Sequence, residues 1–87
     1  GKYDGALENL QELFDKLRRQ AESAGDGEAL DKLNELESRR KALKGELRAD
    51  EARRARSDSS AQPDEALQND WEQLVRETEQ LMERMEH

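Results

Sequence analysis

The sequence contains no cysteine and no isoleucine, a single valine, Val75, and only three aromatic residues, Tyr3, Phe14 and Trp71. β-Strands depend on β-branched and aromatic side chains for their packing, so this shortage excludes a sheet. The lack of cysteine excludes a disulfide framework and thiolate chemistry, and it favours an intracellular, cytoplasmic location. No apolar run approaches the roughly 20 residues that a transmembrane helix requires.

Charged side chains dominate what is present. They make up 43% of the 87 residues, against 32% for hydrophobic residues, and the net charge is −7. Ala, Glu, Lys, Leu and Arg together account for 51 residues, a composition typical of long helices and coiled coils. We therefore predict one all-α domain over residues 1–87. A chain this short builds only a small core, so association with a partner or a second copy would add stability.

Apolar residues recur at heptad spacing in three segments of the sequence. Such a pattern predicts helices that each carry one apolar stripe. The predicted helices cover about 4–24, 27–56 and 63–86, and the predicted loop covers 57–62. The first connection is too short for anything but antiparallel neighbours, so we predict an antiparallel, coiled-coil-like three-helix bundle. The alternative is a long helical hairpin whose third helix packs on a partner or on a second copy.

Residues with special backbone preferences mark the ends of these segments. Gly25 suits the position just after the first helix, Asp26 the N-cap of the second, and Pro63 the first turn of the third. In the second helix the apolar stripe is clean only from Ala29 to Leu47. We therefore expect the last two turns of that helix to be exposed or frayed.

The segment RRKALKGELRADEARRAR, residues 39–56, carries eight basic side chains in an acidic protein. Residues 28–56 sum to +2, whereas residues 57–87 sum to −7. Projection at 100° per residue gives the second helix a basic flank and the third an acidic one. These flanks are Lys41, Lys44 and Arg48 on the second helix, and Glu72, Glu79 and Glu86 on the third. We expect them to face one another and to select which helices pack together.

A nucleic-acid-binding arm at 39–56 is the alternative function of this run. Phosphate binding needs several basic side chains on one locally positive face. Here three carboxylates interrupt the run, and no aromatic side chain is present to stack on bases, so nucleic acid is disfavoured. Membrane adsorption is disfavoured too, because the net charge repels anionic lipid. The remaining candidates for contact with an acidic partner lie beyond the apolar stripe: Arg53, Arg54 and Arg56.

Patterns for catalysis and metal binding are missing. A di-metal helical bundle needs Glu-x-x-His pairs, but the only histidine is the last residue, His87, and Arg84 stands three positions before it. No Gly-rich phosphate loop occurs, and no serine lies beside a histidine. We therefore predict no catalytic residue, no metal and no cofactor. A metal- or ligand-holding bundle is kept as the third and least favoured hypothesis.

The predicted function is a non-catalytic helical protein–protein interaction module. It would act as an adaptor, a chaperone-like protein or a coiled-coil segment of a scaffold, and bind another protein or a second copy through apolar helix faces. Trp often anchors interfaces, and Met adapts to irregular partners. The candidate partner-binding residues are Trp71, Val75, Met82, Met85, Leu13 and Leu30. The alternative reading of the same residues is a place in the core of the bundle.

Overall fold

The structure, a computed structural model, describes residues 2–57 and 65–86. It contains three helices: α1 (Asp4–Ala24), α2 (Gly27–Ser57) and α3 (Glu65–Met85). Both α1 and α3 pack along α2, and they contact each other much less. The molecule measures 50 × 17 × 16 Å, and its long axis matches α2, which at 1.5 Å per residue is about 46 Å long. The predicted all-α three-helix bundle is confirmed.

The turn between α1 and α2 uses the two predicted caps. Gly25 has a φ of 67°, in the left-handed region that favours glycine. The Gly25 N–H donates to the Glu22 carbonyl at 3.2 Å, and the Asp26 N–H donates to the Ala21 carbonyl at 2.9 Å, the two bonds of a Schellman motif. Oδ1 of Asp26 then accepts the Ala29 N–H at 3.1 Å, which satisfies a free amide of the first turn of α2. Both cap predictions are confirmed.

The second connection was predicted at 57–62, with Pro63 opening the third helix. Ser57 belongs to α2, so that helix runs one residue further than predicted. The rest of the predicted loop and Pro63 lie outside the described residues, and α3 is described from Glu65 onwards.

The end of α2 was predicted to be exposed or frayed, and the structure agrees only in part, since Arg53, Ala55 and Arg56 are exposed. The helix continues to Ser57, and Asp50 is only 8% exposed. The Asp50 carboxylate accepts hydrogen bonds from Arg54 at 3.0 Å and from Arg53 at 3.4 Å. Such hydrogen bonds offset the cost of burying a polar side chain. The stripe therefore continues one step beyond Leu47, through a polar residue whose partners lie on the next turn.

The core is built almost entirely from leucine, around the single phenylalanine. Its members come from all three helices: Leu7, Leu10, Phe14, Leu17, Ala21, Ala29, Leu33, Leu36, Leu43, Leu47, Leu67, Leu74 and Leu81. Besides Asp50, two polar residues occupy stripe positions. The Thr78 hydroxyl donates to the Leu74 carbonyl at 2.8 Å and is satisfied within its own helix. The Nε of Arg40 is buried without a hydrogen-bond partner.

Candidate interaction surfaces

The seam between α2 and α3 is joined by a branched ion pair. The Glu77 carboxylate lies 2.9 Å from Lys32 Nζ and 2.7 Å from an Arg39 guanidinium nitrogen. Hydrogen bonds from Lys32 and Arg39 lower the pKa of Glu77 below its ordinary value. Hydrogen bonds to Glu35 and Glu77 raise the pKa of Lys32. The Glu77 side chain is only 21% exposed, so water screens this pair less than a typical surface pair.

Two further arginines fasten the helices around the α1–α2 turn. The Arg84 guanidinium lies 3.0 Å from the Glu28 carboxylate and 3.6 Å from that of Asp26, which ties the end of α3 to the start of α2. Arg18 of α1 lies 3.0 Å from the carboxylate of Glu37 on α2. These contacts also identify the flanks of each helix: Glu37 marks the side of α2 that faces α1.

The predicted pairing of the basic flank of α2 with the acidic flank of α3 is wrong. Lys44 and Arg48 lie on the same side of α2 as Glu37, and they line a shallow pocket of about 190 Å³ together with Asp4 and Glu8 of α1. It is the opposite flank of α2, with Lys32 and Arg39, that faces α3.

The acidic flank of α3 points away from α2. Glu72, Glu79 and Glu86 are all exposed. They lie on the side of α3 opposite Glu77, the residue that pairs with α2. The sequence projection sorted the charges into the correct flanks and then assigned those flanks to the wrong neighbours.

An open groove of about 490 Å³ runs between the first half of α2 and the second half of α3. Seven of its eight lining residues are polar or charged, although the stems of these long side chains contribute apolar surface: Glu28, Asp31, Lys32, Glu35, Glu77, Gln80, Leu81 and Arg84. Several of these side chains already pair across it. Among residues 2–57 and 65–86, no cluster of three or more His, Cys, Asp or Glu side chains has the arrangement of a metal site.

The third side of the bundle, between α1 and α3, is bordered by half-buried apolar side chains. Arg18 marks the flank of α1 that faces α2, and Leu13 lies on the other flank. On α3, Trp71 likewise lies on the flank away from Glu77, and its ring centroid is 5.6 Å from that of Tyr3, with the planes tilted by 59°. We call this surface the α1/α3 edge, and its residues are Tyr3, Leu13, Trp71, Val75 and Met82.

Each predicted partner-binding residue is half-buried, and none is fully exposed. The structure brings four of them together on the α1/α3 edge: Leu13, Trp71, Val75 and Met82. Met85 packs against the core in the last turn of α3, and Leu30 lies on the α1-facing flank of α2, one heptad before Glu37. Tyr3, which was not among the predicted partner-binding residues, also lies on this edge. Heptad spacing within the first helix could not show that Tyr3 contacts Trp71, which is 68 positions away in the sequence.

The three candidate arginines at the end of α2 are not equivalent. Arg53 and Arg54 both contact the Asp50 carboxylate, and the Arg54 side chain is only 27% exposed. Arg56 is exposed. Because Asp50 offsets part of the charge of its two neighbours, this segment presents a weaker positive surface than the sequence suggests.

Comparisons with protein-family models, with curated proteins and with solved structures found no match for the chain. Within the described part of the chain, none of the helices combines the length and the apolar character needed to cross a membrane.

Proposed function

We propose that this chain is a non-catalytic helical interaction module that binds a helix along the α1/α3 edge. The observation that carries the proposal is the row of half-buried apolar side chains on the side of the bundle where two helices contact each other least. The partner is a helix of another protein or of a second copy, and the module acts as an adaptor or as part of a scaffold.

Helix packing gives this edge its binding capacity. The ion pairs described above join α2 to α1 and α2 to α3. They fix α1 and α3 on either side of α2, so the outer flanks of these two helices form the remaining side of the bundle. A fourth helix packed along the α1/α3 edge would bury the remaining apolar surface of Val75 and Met82, at about 25 cal/mol per Å² removed from water.

The residue types on the edge suit a binding role. Trp71 offers a large, rigid contact surface, and Trp is among the residues that contribute most to interface energies. Met82 has a flexible, polarizable side chain that adapts to different partners. An apolar helix face laid into a groove between helices is a recurring mode of recognition.

The test is a double variant of the edge, Val75→Gln with Met82→Gln, compared with Leu30→Gln. All three positions are half-buried and apolar, but Leu30 lies on another side of the bundle. Glutamine is a good helix former, so the helices persist, and far-UV circular dichroism checks this. In capture from a native lysate, followed by titration of the purified partner, we expect the edge variant to bind at least about tenfold more weakly. Leu30→Gln should bind as the wild type does, and equal binding by all three proteins contradicts the proposal.

A further inference from the structure

Two charged surfaces that match one another lie on different sides of this molecule. The acidic rim comprises Glu72, Glu79 and Glu86 on α3, and the basic ridge comprises Lys41, Lys44 and Arg48 on α2. All three rim residues are exposed, as are Lys41 and Arg48. Since α3 packs on the opposite flank of α2, the ridge and the rim of one molecule do not meet.

The acidic rim borders the α1/α3 edge. Glu79 follows Val75 by four residues and Glu86 follows Met82 by four, so each rim residue is a neighbour of an edge residue on the helix surface. On the opposite border, Lys16 follows Leu13 by three residues on α1 and is exposed. A helix bound along the α1/α3 edge therefore meets negative charge on one side and positive charge on the other.

The outer face of α2 carries the complementary arrangement. One border of that face is the basic ridge, and the other carries the exposed acidic residues Glu35 and Glu46, although Glu35 also pairs with Lys32 and the exposed Arg53 lies on the same line of the helix. Over residues 41–49 the exposed residues between the two borders, Ala42, Gly45 and Ala49, are small, so no bulky side chain there holds a neighbouring helix away. We propose that the occupant of the α1/α3 edge is the outer face of α2 from a second copy of this chain, with its basic ridge on the acidic rim. This inference rests on the function proposed above.

The charges also fix the direction of the bound helix. When α2 of the second copy runs parallel to α1 and α3, its basic ridge falls on the side of α3 and its acidic border on the side of α1. The antiparallel direction exchanges the two borders and opposes like charges. Lys41 and Arg48 are seven residues apart, as are Glu79 and Glu86, so two pairs form in one register.

The arrangement has a consequence for the size of the assembly. The α1/α3 edge and the outer face of α2 lie on opposite sides of one molecule. Each copy therefore contacts one neighbour through its edge and a different neighbour through the outer face of its α2. Such a head-to-tail contact extends from copy to copy and does not stop at a symmetric dimer.

The net charge of −7 opposes association, and the attraction comes from exposed pairs, so binding is weak and depends on salt.

Sedimentation equilibrium of the whole chain tests this proposal at about 50 mM and about 500 mM salt. We expect the wild type to associate beyond a dimer at the lower salt, at protein concentrations up to about 1 mM, and less at the higher salt. The ridge variant, Lys41→Glu with Arg48→Glu, and the rim variant, Glu79→Lys with Glu86→Lys, should each associate about tenfold more weakly or less. A control, Asp15→Lys with Glu22→Lys, makes the same change in net charge as the rim variant on the other flank of α1 and should not weaken association.

The decisive measurement is a mixture of the ridge and rim variants. The ridge variant has two acidic surfaces and the rim variant two basic ones, so the mixture restores both contacts and should associate within a few-fold of the wild type. A wild type that stays monomeric at the lower salt overturns the proposal, as does a mixture no better than its components. If the Val75 and Met82 variant still loses an outside partner in that case, the edge remains a binding surface for another protein. Circular dichroism of each variant ensures that loss of association is not loss of folding.

Discussion

The two ends of this bundle use the same heptad pattern with different results. At the turn end, where α1 meets α2, four core residues have no exposed surface: Ala21, Ala29, Leu33 and Leu36. At the far end, where α1 and α3 begin, Leu7 is 2% exposed but Leu47 and Leu67 are 6% and 7% exposed, and the next stripe position of α2 is Asp50. The turn end is also held by the arginine and lysine pairs to Glu77 and Glu28.

Helix length explains much of this difference. α1 and α3 have 21 residues each, and α2 has 31. At 1.5 Å per residue, α2 exceeds either partner by about 15 Å. Because the tight turn aligns the helices at one end, the excess length accumulates at the other. The part of a helix that extends beyond its neighbours is not covered by them and needs polar residues. In α2 these residues are Asp50, Arg53 and Arg54.

Replacing a core leucine with alanine at each end should give the largest difference in stability between the two ends. Leu36→Ala removes a side chain with no exposed surface and should lower the free energy of unfolding by about 2–5 kcal/mol. Leu47→Ala should cost less, because water and the nearby polar groups reach its site more readily. Urea unfolding followed by far-UV circular dichroism measures both. A larger loss for Leu47→Ala would reverse our comparison of the ends.

The same substitution at two glycines should have opposite signs. Gly25→Ala places a side chain at a φ of 67° and should cost about 1–2 kcal/mol. Gly45→Ala should instead stabilise the protein by about 0.5–1 kcal/mol, because this helical position is exposed and an added methyl meets no atom within 4 Å. Thermal melting of the two variants measures the shifts. A destabilised Gly45→Ala would show that this position is constrained in solution.

The cap at the turn end provides a smaller test. Asp26→Ala removes the acceptor for the Ala29 amide and one of the contacts of Arg84, and should cost about 1 kcal/mol. Asp31→Ala is the matched control, since Asp31 is an exposed residue of the next turn. If the two variants are equally stable in urea unfolding, the Asp26 cap does not stabilise the tight turn.

The ion pair of Glu77 should give the smallest effect, and one that depends on pH. Glu77→Gln should cost up to about 1 kcal/mol at neutral pH, whereas Glu79→Gln, at an exposed position, should cost almost nothing. Because folding lowers the pKa of Glu77, its contribution is complete above the ordinary carboxyl pKa and is lost as the pH falls through the lowered value. The difference between wild type and Glu77→Gln should therefore disappear in acid. A difference that does not change with pH would contradict the electrostatic origin.

The helices and their caps were predictable because their causes are local. Heptad spacing determines which residues of each segment form a stripe, and Gly25 and Asp26 act on the backbone within a few residues. Asp50 was not predictable in this way. A polar residue at a stripe position reads as the end of the apolar face, and only the folded helix shows Arg53 and Arg54 around its carboxylate.

The neighbour of each charged flank depends on the hand of the bundle. An up-down-up arrangement can turn to either side, and the hand decides whether Lys44 and Arg48 face α1 or α3. Projection of a single helix sorts charges into flanks but contains no information on the hand. The same gap hid the α1/α3 edge: the sequence named Trp71 and Leu13 as candidates, and only the hand of the bundle placed them on one side.

The Tyr3–Trp71 pair gives the protein a built-in optical reporter. Trp71 is the only tryptophan, so all indole emission comes from the far end, next to the α1/α3 edge. Tyr3 is the only tyrosine, and at 5.6 Å it lies close enough to pass its excitation energy to the indole. Tyrosine emission that is quenched in the folded chain would reappear when this end opens. A helix that binds over Trp71 would shift the indole spectrum, so opening and binding at the same site are distinguishable without an added dye.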